Sequence, residues 1–176
     1  MAVLVDGPSA SFEQPFEMLQ ACHDRIQRTL ALLERLRAHH ATHGADESAR
    51  QAARDVLRYF DLAAPHHHQD EELHVFPALV AGGNADTLAV VGRLRQDHLQ
   101  MEARWPAARQ VLAAIERGEL TRLVPSDQAA LDAFAGMYAS HIDVEEKLAY
   151  PQAQALLDGP ALSAMGDEMR RRRGAA

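Results

Sequence analysis

The sequence predicts an all-α protein: an up-down antiparallel four-helix bundle with a short extra helix at the C-terminus. Four long segments carry apolar residues at alternating intervals of three and four, which is the spacing of an amphipathic helix. Short segments containing glycine and proline separate them, as in an up-down bundle. No segment shows the alternation of apolar and polar residues that predicts a β-strand.

Length and composition are those of one domain. With 176 residues, 47% of them apolar, the chain is long enough to bury a complete core. We expect residues 1–10 to be an irregular lead-in and residues 11–176 to form a single domain. A net charge of −7 argues against nucleic acid as a partner. No segment approaches the ~20 consecutive apolar residues of a membrane span, so we expect no membrane partner.

Cysteine and arginine usage adds two expectations. Cys22 is the only cysteine, so neither an internal disulfide nor a thiolate metal site is possible within the chain. We interpret Cys22 as a buried, inert thiol in a reducing compartment, and we expect a cytoplasmic location. The arginine run at 170–173 is predicted to be a solvated helix end, stabilised by the negative pole of the last helix.

The first helix is predicted to begin at Ser11, because Ser11 to Gln14 has the spacing of a capping box. Its apolar stripe places a histidine, His23, among core positions. Gly44 is predicted to end the helix. The apolar members of the stripe are Phe16, Leu19, Ile26, Leu30 and Leu33.

The second helix is predicted to begin between Asp46 and Ser48. Pro65 lies inside it, and proline removes a helical hydrogen bond. We predict a kinked but continuous helix, because the stripe keeps its phase across the proline until the loop at 82–84. That stripe consists of Val56, Phe60, Ala63, His67 and Glu71.

Two more long helices and a short one complete the prediction. The third has the most regular stripe and ends near Gly118. The fourth begins at Pro125 and is predicted to end at Pro151, and a terminal helix is predicted over 160–173. The third stripe is Val91, Leu94, His98, Met101, Trp105, Ala108, Leu112 and Ile115; the fourth is Leu131, Phe134, Tyr138, His141, Glu145 and Leu148.

One motif occurs twice, at 67–77 and at 141–151. Both copies have the pattern His-x-x-x-Glu-Glu-x-x-x-aromatic-Pro. Residues four apart lie on the same face of a helix, so each copy presents an imidazole beside a carboxylate. Such a donor pair suits a site for iron, manganese or zinc. It is less typical of a calcium site, which uses oxygen ligands only, or of a structural zinc site, which favours thiolate. The repeat therefore predicts a metal site.

Each of the four long stripes contributes one histidine: His23, His67, His98 and His141. Burying these imidazoles with carboxylates would cost several kcal/mol for each unpartnered group, which a bound cation would offset. The helical phase selects the first glutamate of each motif, because the second is rotated by about 100°. These are Glu71 and Glu145. The donors are too many for one ion, so we predict two metals bridged by these glutamates.

Glu102 follows His98 by four residues and is a further candidate ligand. Two interpretations remain open for it: a metal ligand, or a solvated residue that at most supports a ligating histidine. His74 is a candidate outer partner of the site, meaning a residue that supports a metal ligand without binding the metal. Tyr138 is either a hydrogen-bond donor to a metal-bound oxygen species or simply an aromatic residue of the core. His66 and His68 are predicted to face solvent or a neighbouring helix.

The chain resembles the hemerythrin-like, or HHE cation-binding, domain family from residue 11 to about 157. The residues that carry the resemblance are His23-Asp24-Arg25-Ile26, His67-x-x-x-Glu71-Glu72 with Phe76-Pro77, His98, and His141-x-x-x-Glu145-Glu146 with Tyr150-Pro151. The resemblance implies a non-haem di-iron centre, with the two glutamates and an oxo or hydroxo group as bridges. The four histidines would then be terminal ligands. Other divalent metals are compatible with the same donors.

The resemblance implies a protein that binds or senses oxygen, nitric oxide or iron. The alternative is a di-iron oxidase or peroxidase-type scavenger, or an iron–sulfur repair factor, so we leave open whether the protein is an enzyme. A third hypothesis is a bundle that binds adventitious zinc or no metal. Oxygen-carrying members have a histidine where this chain has Glu102, and an anionic donor there favours ferric iron over reversible oxygen carriage. The expected partner is a small diatomic ligand or peroxide; a protein partner is unknown.

Overall fold

A computed structural model of the protein describes residues 11–175. Within this range the regular structure is entirely helical, which confirms the predicted all-α class. The predicted lead-in, residues 1–10, lies outside the described residues. None of the described helices has both the length and the apolar character needed to cross a membrane.

Four long helices and one short one cover most of the described residues. The ends are set by local chemistry: Asp46, Asn84 and Asp158 each accept a hydrogen bond from a backbone N–H three residues later, and Gly44 follows α1 with φ of 66°. The helices are α1 (Pro15–His43), α2 (47–82), α3 (Ala85–Glu116), α4 (125–156, interrupted by a turn at 136–137) and α5 (Gly159–Arg172).

The first helix begins later than predicted. It starts at Pro15, and residues 11–14 form a turn closed by a hydrogen bond from the N–H of Gln14 to the carbonyl of Ser11. A proline favours the first helical position because its φ angle is already helical and its missing N–H would have no partner there. A proline also disfavours the helical conformation of the residue before it, which here is Gln14. Pro15 therefore overrides the capping-box spacing.

Three turns of α2 and α4 are wider than an α-helical turn. The backbone N–H groups of Ala64, Phe76 and Tyr150 donate to the carbonyl five residues earlier, which is a π-helical hydrogen bond. A proline follows each of these residues directly. Proline lacks an N–H and its ring displaces the carbonyl four residues before it, so the helix widens over the preceding turn. Pro106 lies within α3 without a wide turn, so proline alone is not sufficient.

The wide turns correct two predicted stripe positions. Ala64 is buried in place of Ala63, and Ala149 is buried in place of Leu148, which is 43% exposed. A π turn contains one extra residue, so the buried face moves on by one position. The helix nevertheless continues through Pro65, as predicted. The fourth helix, α4, continues beyond Pro151 to Leu156, contrary to the prediction that Pro151 ends it.

The core consists of two apolar clusters with a polar layer between them. One cluster contains Ile26, Phe60, Leu112 and Phe134, and the other contains Leu19, Phe76, Leu94 and Met165. Every long helix passes from one cluster to the other, and successive helices do so in opposite order along the chain. On each long helix, the predicted metal-binding histidine lies close to the point where the helix passes from one cluster to the other. The four histidines therefore lie in the polar layer between the clusters.

The prediction that the arginine run forms a solvated helix end was wrong for Arg172 and Arg173, whereas Arg171 is exposed. Arg172 and Arg173 both donate to the carboxylate of Asp70, which is completely buried in α2. Arg172 also pairs with Glu168 of its own helix, and Glu168 accepts from His74 at 2.7 Å. A buried carboxylate needs compensating charge. The arginines of α5 supply it beside the repeated motif.

The cysteine prediction agrees with the structure. Cys22 is buried and unpaired. Burial raises the pKa of its thiol to about 11, so the thiol stays protonated at neutral pH. The residue therefore behaves as a small apolar side chain of α1.

Candidate metal centre

The structure brings six of the seven predicted ligands into one buried cluster. None of the six is more than 4% exposed. They form two overlapping groups whose donor atoms lie within 4.8 Å of one another. The first group is His23, His67, Glu71 and Glu145; the second group is His98, His141, Glu71 and Glu145.

The two glutamates lie between the groups. Glu71 has one carboxylate oxygen 3.4 Å from Nε2 of His67 and the other 3.2 Å from Nε2 of His98. Glu145 has one oxygen 3.1 Å from Nε2 of His23 and the other 2.9 Å from Nε2 of His141. Each carboxylate therefore faces a histidine of the first group and a histidine of the second. A carboxylate in this position could be shared by a cation in each group.

An outer set of carboxylates orients the histidine rings. Nδ1 of His23 donates to Glu146 at 2.9 Å, and Nδ1 of His98 donates to Glu72 at 3.0 Å. Nδ1 of His141 likewise donates to Asp97 of α3 at 3.2 Å. A carboxylate on Nδ1 leaves the lone pair on Nε2, directed into the cluster, and makes it a stronger donor. No role was predicted from the sequence for these three carboxylates.

Five polar atoms that face the cluster centre lack hydrogen-bond partners among the described residues. Leaving such atoms buried and unpartnered is costly, and native proteins rarely do so. A cation at each group would satisfy them, since all are lone-pair donors. The donor set therefore fits metal binding. Among the described residues these atoms are Nε2 of His98 and His141, Oε2 of Glu71, and both carboxylate oxygens of Glu145.

The negative charges of Glu71 and Glu145 repel each other when no cation is present. Burial, followed by the negative charge of Glu71, raises the pKa of Glu145 to about 8. Burial acts in the same direction on Glu71, but the neighbouring His67 and His98 hold its pKa well below the usual value. One proton therefore tends to remain on the pair at neutral pH. A metal must displace that proton to use both carboxylates.

The pKa values of the buried histidines are also shifted in opposite directions. Burial lowers the pKa of His67 to about 3 and the pKa of His68 well below the usual value, so both rings are neutral donors. Burial also acts to lower the pKa of His23 and His98. For these two, the nearby carboxylates of Glu145 and Glu71 respectively outweigh burial and raise the pKa.

Tyr150, the aromatic residue of the second motif, contacts the first group. Its hydroxyl donates to Oε1 of Glu71 and lies 3.1 Å from Nε2 of His23. Its ring stacks on the His23 ring, with the planes 11° apart. Tyr150 therefore holds the carboxylate of Glu71 and the ring of His23 in place. The aromatic-Pro ending of the motif was the available signal for this contact.

The structure does not bring Glu102, the seventh predicted ligand, into the cluster. Its side chain is exposed on α3, and it belongs to neither group. Glu102 instead lines a surface groove of about 350 Å³ between α2 and α3, together with Glu72, Arg95 and His98. His74, a candidate outer partner, contacts Glu168 of α5 rather than a histidine of the cluster.

His68 is buried and contacts α3, which agrees with one of its two predicted positions, a neighbouring helix, and not with the other, solvent. Its ring stacks on the His98 ring at a centroid distance of 4.1 Å. The wide turn at 59–63 shifts the buried face of α2 by one residue, so His67 and His68 both point inward. The Pro65 beside these histidines was the signal that could have indicated the shift.

A small cavity of about 60 Å³ adjoins His68 on the side towards the first apolar cluster. Its walls are largely apolar and aromatic, including Phe60, Trp105 and Phe134. The polar residues in the wall are His68, Glu102 and Tyr138. Tyr138 is buried one turn before His141, as its place in the stripe predicted.

Comparison with known proteins agrees with this geometry. A family model described as the hemerythrin HHE cation binding domain matches residues 14–153. A protein of Haemophilus influenzae, described only as uncharacterized, is 30% identical over 173 residues that cover 98% of each chain. The matched range includes all six clustered residues, and the family's defining property is the binding of cations. The chain therefore belongs to the family of hemerythrin HHE cation-binding domains.

Proposed function

We propose that this metal-binding protein holds two iron ions and binds a small diatomic ligand, oxygen or nitric oxide, at the second of them. The first ion would be held by His23 and His67, the second by His98 and His141, with Glu71 and Glu145 shared. We also propose that α1 to α4 form an up-down bundle around this centre, because successive helices pass the two core clusters in opposite order.

The donor set supports two ions of iron type. Each group offers two imidazole nitrogens and two carboxylate oxygens, a mixture that suits iron, manganese or zinc and has no thiolate. Four donors leave positions free on an ion that takes six. When bound, iron would supply a redox-active centre with open positions for a small ligand.

The cavity beside the second group is the observation that carries the choice of ligand. A bound water needs on the order of 10–15 Å³ of such space, so about 60 Å³ admits a ligand of a few atoms. The apolar walls favour a small uncharged molecule over an ion. The Tyr138 hydroxyl is a buried polar group in the wall, and it would orient a ligand that has displaced water.

The test is nitric oxide binding to the anaerobic, ferrous-loaded protein. Ala64 lines the cavity, so Ala64→Leu should fill it and weaken nitric oxide binding by tenfold or more while iron content stays at two. Ala108→Leu is the matched control, since Ala108 is also buried but lies outside the cavity wall. Equal nitric oxide affinity in Ala64→Leu and the wild type would rule out this cavity. One iron or none in the wild type would rule out the dinuclear centre.

A second candidate function is enzymatic: a peroxidase-type scavenger or oxidase. The groove between α2 and α3 favours it, because it reaches His68 and His98 from the surface and is bordered by Arg95. Such a groove would admit peroxide. Steady consumption of peroxide or oxygen by the iron-loaded protein, without loss of iron, would support this function over reversible binding. An iron–sulfur repair role would instead require transfer of iron from this protein to a damaged cluster protein.

A further inference from the structure

We propose, on the basis of the dinuclear centre proposed above, that His68 is a ligand of the second metal. The second metal would then be bound by three histidines, His68, His98 and His141, and by the two shared glutamates. The first would keep two histidines. The repeated motif does not specify this ligand. His68 occupies its first variable position, directly after His67, and the corresponding residue of the second copy is Ile142.

The His68 ring lies where a third histidine ligand of the second metal would lie. Ring nitrogens of His68, His98 and His141 all lie within 4.8 Å of one another. The His68 ring stacks on the His98 ring at 4.1 Å and meets the His141 ring edge-on at 6.2 Å. Nitrogen ligands that share one ion are separated by a few ångströms, since each metal–nitrogen bond is about 2.0–2.1 Å long.

The hydrogen bonding of His68 agrees with this assignment. Nε2 of His68 is fully buried and has no hydrogen-bond partner among the described residues. Nε2 of His98 and of His141 are in the same condition, and these are the atoms predicted to bind metal. An imidazole nitrogen left in this state costs free energy. A metal shared by the three rings would satisfy all three atoms together.

His68 also takes the place that the sequence analysis considered for Glu102. Both residues line the cavity and the groove beside the second group, but Glu102 is exposed whereas His68 is buried. The additional ligand therefore comes from α2 rather than from α3. A neutral nitrogen in place of a carboxylate leaves the second ion with a higher positive charge and five protein donors.

The rival role for His68 is a wall residue that contacts a bound ligand but never the metal. The two roles differ in their effect on metal affinity, because a wall residue does not change it. The test is anaerobic titration with Co²⁺ alone, measuring the number bound, the two dissociation constants and the visible ligand-field absorption. His68→Ala is compared with His66→Ala, its neighbour of the same type that belongs to no donor group.

The wild type should bind two Co²⁺ ions. His68→Ala should retain the first with unchanged affinity and bind the second at least ~10-fold more weakly, since even outer partners of metal ligands change affinity by that factor. Free imidazole should restore the absorption of the second Co²⁺ in His68→Ala. His66→Ala should match the wild type. His68→Gln keeps a polar side chain, and it should show the same loss if His68→Ala fails to fold.

Unchanged affinity and absorption of the second Co²⁺ in the folded His68 variants would overturn the assignment and leave the dinuclear centre standing. Equal weakening of both ions would also overturn it, because the ring nitrogens of His68 group only with those of His98 and His141, in the second group. A wild type that binds a single Co²⁺ would overturn the dinuclear centre itself, and the assignment of His68 with it.

Discussion

Glu146 lies next to Glu145 in the chain, yet its carboxylate accepts a hydrogen bond from Nδ1 of His23, on another helix, at 2.9 Å. The first motif repeats the relationship, with Glu72 accepting from Nδ1 of His98 at 3.0 Å. The two adjacent glutamates of each motif thus have different tasks. The first faces the centre, and the second orients a histidine contributed by a different helix.

Substitution of the four motif glutamates should separate these tasks. Glu71→Gln and Glu145→Gln should each abolish tight binding of both metals, because each carboxylate faces both groups. Glu72→Gln and Glu146→Gln should retain two metals with about 10–100-fold weaker affinity. Metal content after dialysis and competition with a chelator measure the difference. Equal losses at all four positions would mean that the carboxylates are assigned wrongly.

The metal-free protein should lose stability as the pH rises from 6.5 to 8. The pKa of Glu145 is about 8 in the folded protein against an ordinary value of 4.5, so its contribution is lost as the pH rises through the folded value. His23 and His98, whose pKa values are raised, act in the same direction. His67, whose pKa is lowered to about 3, acts oppositely but only below its ordinary value of 6.5.

Urea unfolding in the presence of chelator at pH 6.5 and pH 8 measures this dependence. Glu145→Gln is the control, and it should show a smaller loss because it cannot ionise. Higher stability at pH 8 than at pH 6.5 in the metal-free wild type would contradict the expected sign. With metal bound the dependence should reverse, because higher pH favours the deprotonated ligands.

Metal removal should lower the melting temperature. A metal at 100 times its dissociation constant stabilises the folded state by about 2.7 kcal/mol. For a domain of this size each kcal/mol corresponds to roughly 2–4 °C, so chelation should lower the midpoint by roughly 5–10 °C. Differential scanning calorimetry with and without chelator measures it. The Glu71→Gln variant should show no chelator effect, and a similar shift in that variant would place the stabilising metal elsewhere.

The contact between α5 and Asp70 should be important for stability. Replacing both Arg172 and Arg173 by alanine leaves the completely buried Asp70 carboxylate without its partners, which should cost about 3–5 kcal/mol. Arg171→Ala is the control because this arginine is exposed and has no contact with Asp70. Chemical denaturation compares the variants. Adding Asp70→Asn should recover part of the loss, since it removes the unpaired charge; no recovery would argue against a charge effect.

Much of the fold and most of the cluster could be predicted from local spacing. The four stripes located His23, His67, His98 and His141, and the helical phase selected Glu71 over Glu72. These predictions succeeded because an amphipathic helix has a constant period and a face that must be buried. The same constant period failed at Ala63 and Leu148. There a following proline widens the helix and moves the buried face by one residue.

The sequence by itself therefore determined the helical class, the paired motif and the six residues of the cluster. Only the tertiary structure decided which carboxylates serve which histidines, that Arg172 and Arg173 neutralise Asp70, that Glu102 is exposed, and that His68 stacks on His98. The physical reason is the distance along the chain over which each kind of information acts. Periodicity records which face of a helix is buried, whereas the contact of Glu146 with His23 joins residues 123 positions apart and depends on how the helices pack.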